Sequence, residues 1–424
     1  MEDTGKNVFI TGKAGTGKST LLEYFRTRTK KRVVVLAPTG VAALNVRGET
    51  LHSFFRFKPD ITVQKVRRVR STLRRIYQEL DAIVIDEVSM VRADLLDCVD
   101  LFLRLNGRSS TLPFGGIQMM FIGDLYQLPP VVTSQERPIF TQHYPGPYFF
   151  DAQVFADLPL EFVELKKVYR QQDEGFIALL NRIRNNTVTE SDLRLLNRRV
   201  GVSFPQKEGE FVVCLTTINR TALTLNQENL RRLPGKTYEY RARVEGEFDA
   251  HSYPTDYHLK VKVGAQVMML NNDKEGRWVN GSLGRITGVS YDPDEDGDVI
   301  MVQFQDGRLA PVKPFQWEIF RFRYQPATKT IESETVGTFT QYPLKLAWAV
   351  TIHKSQGKQF DRVIIDLSRG TFATGQVYVA LSRCTSLAGI ALKRPLRKSD
   401  IFTDWRIVKF LTRFQDQLSE PADY

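Results

Sequence analysis

The residues whose types and spacing most clearly indicate a chemical function form the run Gly12–Ser19. This run fits the pattern G-x-x-x-x-G-K-[ST] between a predicted strand and a predicted helix. Glycines let such a loop curl so that backbone N–H groups point at phosphate oxygens, and the following helix adds its positive end. Lys18 would reach the β- and γ-phosphates, and the Ser19 hydroxyl would ligate Mg²⁺. We expect four further residues to complete a nucleoside triphosphate site: Gly15, Thr16, Gly17 and Thr20.

A carboxylate pair follows the apolar run Ala82–Ile85, whose continuous hydrophobicity predicts a strand buried on both faces. Asp86 would stand at the carboxyl edge of the sheet, where open α/β sheets bind ligands, and would hold Mg²⁺. Glu87 would polarise the attacking water. Gln127, on a loop after another such run at Met119–Ile122, could read the γ-phosphate. The predicted chemistry is metal-assisted transfer of a phosphoryl group to water.

A doubly wound α/β sheet is needed to position these side chains. Helical segments such as Ser19–Thr27 and Ala93–Leu105 lie between the apolar runs, and this alternation predicts a parallel sheet. The runs predicted as its strands are Asn7–Thr11, Arg32–Ala37, Ala82–Ile85 and Met119–Ile122.

Two other regions have a different pattern of apolar and polar residues. Apolar residues at helical spacing predict a helix over Lys65–Leu80, whose arginines form either a solvated face or a phosphate-contacting element. Between Gln227 and Phe339, turn signals separate short alternating runs, which predicts a small antiparallel β-barrel inserted into an α/β domain.

Composition limits the classes of protein to which the chain can belong. A chain of 424 residues is expected to form two to four domains, and 59 Lys plus Arg against 48 Asp plus Glu give a formal charge of +11. That excess suggests a polyanionic partner, with nucleic acid the first candidate. No apolar run reaches the length of a membrane span, and the N-terminus lacks a signal pattern. Three scattered cysteines and five unclustered histidines give no disulfide framework or zinc spacing, so we expect a cytoplasmic protein.

Taken in order, the motifs resemble those of the superfamily-one helicases and, within them, the Pif family of 5′-to-3′ DNA helicases. The resemblance runs from Gly12 to Arg383. Its most discriminating part is Pro113–Gln118, which resembles the insertion that marks this family. The other matching segments are Ala37–Ala43, Thr50–Phe55, Gly123–Pro130, Leu165–Gln171, Val350–Gly357 and Tyr378–Arg383.

The resemblance implies roles for more residues. In such motors ATP and Mg²⁺ bind between two RecA-like domains, and Arg170 and Arg383 match the family's two arginine positions, where a guanidinium stabilises the transferring phosphoryl group. The resemblance also implies that Gln356 and Gly357 bind the nucleotide. Phe54 and Phe55 could stack on bases or belong to the core. The residues in segments that contact single-stranded DNA in the family are Thr39, Gly40, His52, Phe54, Phe55, Thr351, His353 and Lys354.

The same resemblance implies the domain organisation. It predicts a first RecA-like domain over 1–155, with a small strand-separating wedge at about 56–78. A second RecA-like domain is predicted over 156–226 and 340–424, interrupted by a barrel of the Src-homology type at 227–339. Family members usually carry an adenine-reading Gln well upstream of the P-loop. The eleven residues before Gly12 contain none, so adenine selectivity stays unassigned.

By resemblance, the chain is expected to be a bacterial-type motor core. It would be an ATP-dependent helicase that moves 5′-to-3′ on single-stranded DNA as a monomer and unwinds duplex or forked DNA. G-quadruplexes and RNA–DNA hybrids are further expected substrates, with work in DNA repair, replication, recombination or telomere maintenance. Three alternatives remain open at this stage: a RecD- or Dda-type helicase, a P-loop ATPase that does not act on nucleic acid, and a non-hydrolysing nucleic-acid-binding module.

Overall fold

The computed structural model describes residues 5–133, 136–156, 158–167, 169, 173–204, 210–293 and 297–414. The chain divides into two compact units. Unit 1 comprises Met1–Arg170, Glu318–Gly337 and Asp404–Tyr424, and unit 2 comprises Gln171–Trp317 and Thr338–Thr403. This division differs from the predicted boundaries, because part of the predicted barrel and the end of the chain group with the first unit.

Unit 1 is built on one parallel sheet with the strand order β3-β2-β4-β5-β1-β6. Its strands are β1 (Asn7–Gly12), β2 (Val33–Ala37), β3 (Glu49–Thr50), β4 (Ala82–Ile85), β5 (Gln118–Ile122) and β6 (Leu160–Leu165). Its helices before unit 2 are α1 (Lys18–Arg28), α2 (Gly40–Asn45), α3 (Leu51–Phe54), α4 (Ser71–Glu79), α5 (Ala93–Asn106) and α6 (Arg137–His143). The four strands predicted from apolar runs are confirmed.

The central strands are buried on both faces, as their unbroken hydrophobicity predicted. In β4, Ile83 and Ile85 pack into one apolar cluster, while Ala82 and Val84 pack into another. Because successive side chains of a strand point to opposite faces, these two clusters are the two sides of the sheet. Parallel strands end at the same edge, so β1, β4 and β5 deliver the residues that follow them to one place.

The helix predicted over Lys65–Leu80 is shorter than expected, because α4 covers only Ser71–Glu79. Upstream, Val63–Lys65 forms a single 3-10 turn, and Arg70, with ψ +150°, is not helical. Asn106 explains the difference. Its side chain accepts a hydrogen bond from the Val69 N–H at 2.9 Å and donates to the Arg67 carbonyl at 3.3 Å. A distant side chain therefore satisfies backbone groups that a helix would otherwise have paired.

Unit 2 contains a second parallel sheet, ordered β18-β7-β19-β20. Its helices are α7 (Glu174–Arg184), α8 (Glu190–Asn197), α9 (Asn219–Arg232) and α10 (Gln376–Ser382). The remaining strands of the chain are β7 (Val213–Thr216), β8 (Tyr238–Arg241), β9 (Arg243–Gly246), β10 (His258–Val261), β11 (Gln266–Met269), β12 (Leu283–Asp292), β13 (Gly297–Phe304), β14 (Leu309–Val312), β15 (Phe315–Gln325), β16 (Thr330–Gln341), β17 (Leu344–Leu346), β18 (Ala349–Thr351), β19 (Val363–Asp366) and β20 (Ile390–Leu392). Most of β15 and β16 belongs to unit 1. Parallel sheets flanked by helices in both units confirm the predicted fold class.

The predicted antiparallel insertion lies between the strands of that second sheet. Five strands form the order β14-β13-β12-β11-β17, beside a β10-β8 pair and a β15-β16-β9 sheet. The first two sheets share one apolar cluster that includes Leu259, Val267 and Val302. The insertion follows α9, so it begins after Arg232 and not at residue 227.

The last described helix, α11 (Trp405–Thr412), belongs to unit 1. Phe410 on this helix stacks on Phe150 with ring centroids 4.3 Å apart and contacts Phe9 of β1 at 5.9 Å. These aromatic contacts explain why the end of the chain groups with the first sheet. Within the described part of the chain, no helix combines the length and apolarity needed to cross a bilayer.

Candidate functional site

The loop after β1 has the shape that phosphate binding requires. Gly15 and Gly17 adopt φ values of +80° and +86°, which favour glycine. A Cβ on Gly12 would lie 2.6 Å from the Thr16 hydroxyl oxygen and 2.8 Å from the Leu165 carbonyl oxygen. Thr16 closes the loop, because its backbone N–H and its hydroxyl both donate to the Lys13 carbonyl, at 3.3 and 2.9 Å.

Lys18 and the residues after it occupy the first turn of α1. The Lys18 ammonium donates to the carbonyls of Gly12 and Lys13, at 2.8 and 3.2 Å, so it lies within the curl of the loop. The side chains of Ser19 and Thr20 are exposed. The first N–H groups of a helix lack intrahelical partners and favour an anion, so this end of α1 suits a phosphate.

The carboxylate pair follows β4 at the same edge of the sheet. Asp86 is 9% exposed, and burial raises the pKa of its carboxyl group, while a hydrogen bond from the Glu87 N–H and the nearby charge of Lys18 lower it. Asp86 and the phosphate loop follow strands β4 and β1, which end at the same edge of the sheet. Glu87 is half-buried and has φ +50°, a left-handed conformation that is rare for a non-glycine residue.

The loop after β5 completes this edge. The Gln127 side-chain amide donates to the Asp124 carboxylate at 3.2 Å, and that carboxylate also accepts from the Tyr126 N–H at 3.2 Å. A Cβ on Gly123 would lie 3.1 Å from Val88 and 3.3 Å from the Ser89 nitrogen, so this loop packs directly against the turn that follows Glu87. The structure therefore brings Asp86, Glu87 and Gln127 to the same edge of the sheet as the phosphate loop.

Asp124 was missed from the sequence as a site residue. It is 1% exposed and orients Gln127, which is itself 7% exposed. The available signal was its position two residues after the end of a buried central strand, similar to the signal that identified Asp86.

The donor set of this edge fits Mg²⁺, which prefers hard oxygen ligands and retains several waters. The exposed Ser19 hydroxyl and the Asp86 carboxylate are the residues that would hold the ion, with phosphate oxygens as further ligands. Among the residues that the structure describes, no group of three His, Cys, Asp or Glu side chains is placed to hold a metal.

In unit 2, Arg383 is almost completely buried, with 1% exposure. Its guanidinium donates to the carbonyls of Val379, Ser355 and Lys358, at 3.0, 3.3 and 3.3 Å. Arg383 therefore braces the loop that carries Gln356 and Gly357. Its predicted role at a phosphoryl group stays a prediction, and Arg170 lies outside the described residues.

The predicted DNA-contacting residues of unit 1 separate into two kinds. Thr39 is exposed and caps α2 by accepting from the Ala42 N–H at 3.2 Å, and Gly40 begins that helix. His52 is half-buried, and burial, with help from Arg92, lowers the pKa of its imidazole.

Phe54 and Phe55 form the other kind, because both rings belong to the core, with 4% and 1% exposure. Phe55 contacts Phe102 and Tyr77, with ring centroids 5.4 and 6.2 Å away. Both rings therefore belong to the aromatic core of unit 1 in this structure, and their stacking on bases stays a prediction.

Phe55→Ala is expected to lower the free energy of unfolding by about 3–5 kcal/mol, because it leaves a cavity in a packed aromatic cluster. Chemical denaturation measures this effect. Phe372→Ala is the matched control, because Phe372 is 63% exposed and its removal should change stability by less than about 0.5 kcal/mol. Equal stability of both variants would place Phe55 outside the core.

In unit 2, the predicted DNA-contacting residues follow β18. Thr351 is buried and its hydroxyl accepts from the Lys354 N–H at 3.4 Å, while the Lys354 side chain is exposed. His353 stacks on Phe372, with ring centroids 6.5 Å apart and an interplanar angle of 13°, and burial lowers the pKa of its imidazole. No sequence signal indicated this ring contact, because Phe372 lies in a turn-rich segment.

Comparison with known proteins identifies relatives across the chain. A family model described as "PIF1-like helicase" matches residues 1–194, and one described as "UvrD-like helicase C-terminal domain" matches residues 346–390. The ATP-dependent DNA helicase PIF1 of Danio rerio is 36% identical over 398 residues, which are 91% of this chain and 58% of the relative. This chain thus spans less than two thirds of the length of that relative.

Solved structures match over nearly the whole chain. A crystal structure of Bacteroides sp Pif1 in complex with ADP-AlF4 is 38% identical, with a TM-score of 0.88, and the match covers 98% of this chain and 94% of that one. A crystal structure of Bacteroides Pif1 bound to ssDNA is 37% identical, with a TM-score of 0.68, covering 97% and 94%.

Proposed function

The chain belongs to the PIF1-like helicase family, and on that premise we propose that it is an ATP-dependent DNA helicase that moves 5′-to-3′ on single-stranded DNA. One observation carries the proposal. The phosphate loop, Asp86, Glu87 and Gln127 converge at one edge of a parallel sheet, in a chain whose relatives are named as DNA helicases. P-loop ATPases that do not act on nucleic acid share the convergence of these residues, but their relatives are not named as DNA helicases.

Each residue of this edge has a distinct task in the proposed reaction. The loop N–H groups and Lys18 bind the β- and γ-phosphates, and Ser19 and Asp86 hold Mg²⁺, which supplies charge neutralisation on the phosphate oxygens. Glu87 accepts a proton from the attacking water, and Gln127, fixed by Asp124, orients that water or reads the γ-phosphate. Arg170, Arg383, Gln356 and Gly357 are proposed to respond to the same phosphates.

The proposed DNA track uses Thr39, Gly40, His52, Thr351, His353 and Lys354. Hydroxyl, imidazole and ammonium groups suit phosphate contacts, which position the strand without reading its sequence. The exposed face near α4, with Arg67, Arg68 and Arg70, is proposed to meet the duplex where the strands separate. Forked DNA, G-quadruplexes and RNA–DNA hybrids are the proposed substrates. A monomer acting in the cytoplasm of a bacterial-type cell is the proposed working form.

The direct test is ATP hydrolysis measured with and without single-stranded DNA. We expect the rate to rise steeply on adding the DNA, and the DNA affinity to fall as the salt concentration rises. A rate that ignores single-stranded DNA would favour a P-loop ATPase that acts elsewhere.

Phe372→Ala is expected to weaken binding of single-stranded DNA by about 1–3 kcal/mol, the range for one aromatic ring stacked on a base. The ring is exposed and already aligned with His353 in the proposed track. Fluorescence anisotropy with a labelled oligonucleotide measures the effect. Trp405→Ala is the control, because Trp405 is also exposed but lies on α11 of unit 1. An equal loss in both variants would contradict the placement of Phe372.

A further inference from the structure

A large aromatic side chain is exposed on the outer face of α11. Trp405 is 67% exposed, whereas Trp278 and Trp317 are buried and Trp348 is half-buried. Folding normally covers most of a tryptophan, and exposed aromatic residues are enriched where proteins bind one another. Val408 is exposed as well. Because residues three apart share a face of a helix, Trp405 and Val408 form one apolar stripe.

The opposite face of α11 is anchored in unit 1. Ile407 and Phe410 are buried in the apolar cluster of that unit. Directly after the helix, Phe414 stacks on Phe162 of β6, with ring centroids 4.9 Å apart. The stripe is therefore held in place before any partner arrives, which lowers the entropic cost of binding.

Two cations border one side of the stripe. Lys409 and Arg413 are exposed, and among the described residues no carboxylate forms an ion pair with either of them, whereas Arg406 on the same helix pairs with Asp404. The Lys409 ammonium lies over the Trp405 ring, 5.7 Å from its centroid. The two cations are four residues apart, about 6 Å along the helix. We call Trp405, Val408, Lys409 and Arg413 the α11 face.

The α11 face lies far from the proposed DNA track of unit 1. Its helix packs beside β6, at one edge of the sheet, whereas Thr39 and His52 follow β2 and β3 at the other edge. Four strand spacings separate β2 from β6, which is about 19 Å. An aliphatic Val408 also offers nothing to a phosphate. Position and chemistry therefore favour a protein partner over nucleic acid.

We propose that the α11 face docks an acidic amphipathic helix of a partner protein. Such a helix carries apolar side chains three and four residues apart, and its carboxylates, when four residues apart, match the spacing of Lys409 and Arg413. Trp405 would pack between the apolar side chains of that helix and act as the central anchor. The positive charges of the face repel a second copy of the same face.

The test uses a synthetic amphipathic peptide without tryptophan, with Leu at positions i, i+3, i+4 and i+7 and Glu and Ala elsewhere. Acrylamide quenching of the protein's tryptophan fluorescence reports on the site, because Trp405 is the only strongly exposed one of the four tryptophans. We expect the peptide to reduce quenching and to shift the emission to shorter wavelength. The same peptide with Lys in place of each Glu is the control and should have no effect.

Variants of the protein identify the anchor. Trp405→Ala should weaken binding of a fluorescein-labelled peptide by about tenfold or more, and Trp405→Phe should lose less because it keeps an aromatic ring. Lys409→Met should lose several-fold and show a weaker dependence on salt. Tyr24→Ala is the control and should bind like wild type, because Tyr24 is also exposed and contacts a cation, Arg28, but lies on α1. DNA-stimulated ATP hydrolysis should be unchanged in Trp405→Ala.

Each contrary outcome names a different occupant. Protection of Trp405 by an oligonucleotide and not by the peptide would make the face a nucleic-acid surface. A wild-type dimer that Trp405→Ala dissociates, seen by sedimentation, would assign the face to a second copy. Weak quenching before any addition would mean that this chain covers its own ring. Each of these results, or an acidic peptide that binds nowhere or binds both Ala variants equally, overturns the proposal. Loss of the proposed helicase activity would leave it standing, because peptide binding requires no ATP or DNA.

Discussion

Lys18→Ala is expected to abolish DNA-stimulated ATP hydrolysis, with a loss in kcat of at least about 10²–10³-fold. The Lys18 ammonium lies within the phosphate loop, 2.8 Å from the Gly12 carbonyl oxygen, in the position from which it would meet a phosphate. Alanine removes this positive charge from the position where the transferring phosphoryl group gains negative charge. Steady-state ATPase assays with saturating single-stranded DNA measure the loss.

Lys13→Ala is the matched control for this prediction. Lys13 belongs to the same loop, but the loop uses its backbone carbonyl, which alanine retains. We expect its rate to stay within a few-fold of wild type. Thermal melting of both variants verifies that the fold is kept. An active Lys18→Ala variant would mean that the nucleotide binds somewhere else.

Glu87→Gln is expected to lower the rate of hydrolysis by about 10²–10⁴-fold while nucleotide binding persists, because the amide keeps the shape of the side chain but cannot accept the proton of water. Glutamine changes neither the side-chain length nor the branching at Cβ, so the left-handed backbone at this position is no harder to adopt. Single-turnover hydrolysis and binding of a fluorescent ATP analogue separate the two effects.

Asp86→Asn provides the contrast. Asp86 is proposed to hold Mg²⁺, so this variant should need a higher Mg²⁺ concentration for half-maximal rate, whereas Glu87→Gln should show the wild-type Mg²⁺ dependence. If the two variants exchange these behaviours, the roles of the adjacent carboxylates are reversed.

The sequence predicted best where local pattern decides the structure. The run Gly12–Ser19 is a contiguous motif, and the unbroken hydrophobicity of Ala82–Ile85 places a central strand without knowledge of its neighbours. Because parallel strands end at one edge, Asp86 could be assigned to the site from its position alone. Gln127 was placed by the same argument.

The sequence failed where distant partners decide the outcome. No local pattern shows that Asn106 bonds the backbone at Arg67 and Val69 and so shortens the predicted helix. An aromatic pair in an apolar segment is equally compatible with stacking and with the core, and only the neighbours of Phe55 settle its burial.

Strand displacement tests the central claim most directly. Two duplexes of equal length are offered with ATP and Mg²⁺, one with a single-stranded 5′ tail and the other with a 3′ tail. A helicase that moves 5′-to-3′ should release the strand from the 5′-tailed duplex and leave the 3′-tailed duplex intact, and Lys18→Ala should release neither. Preferential release from the 3′-tailed duplex, or no release by a protein that hydrolyses ATP, would contradict the account.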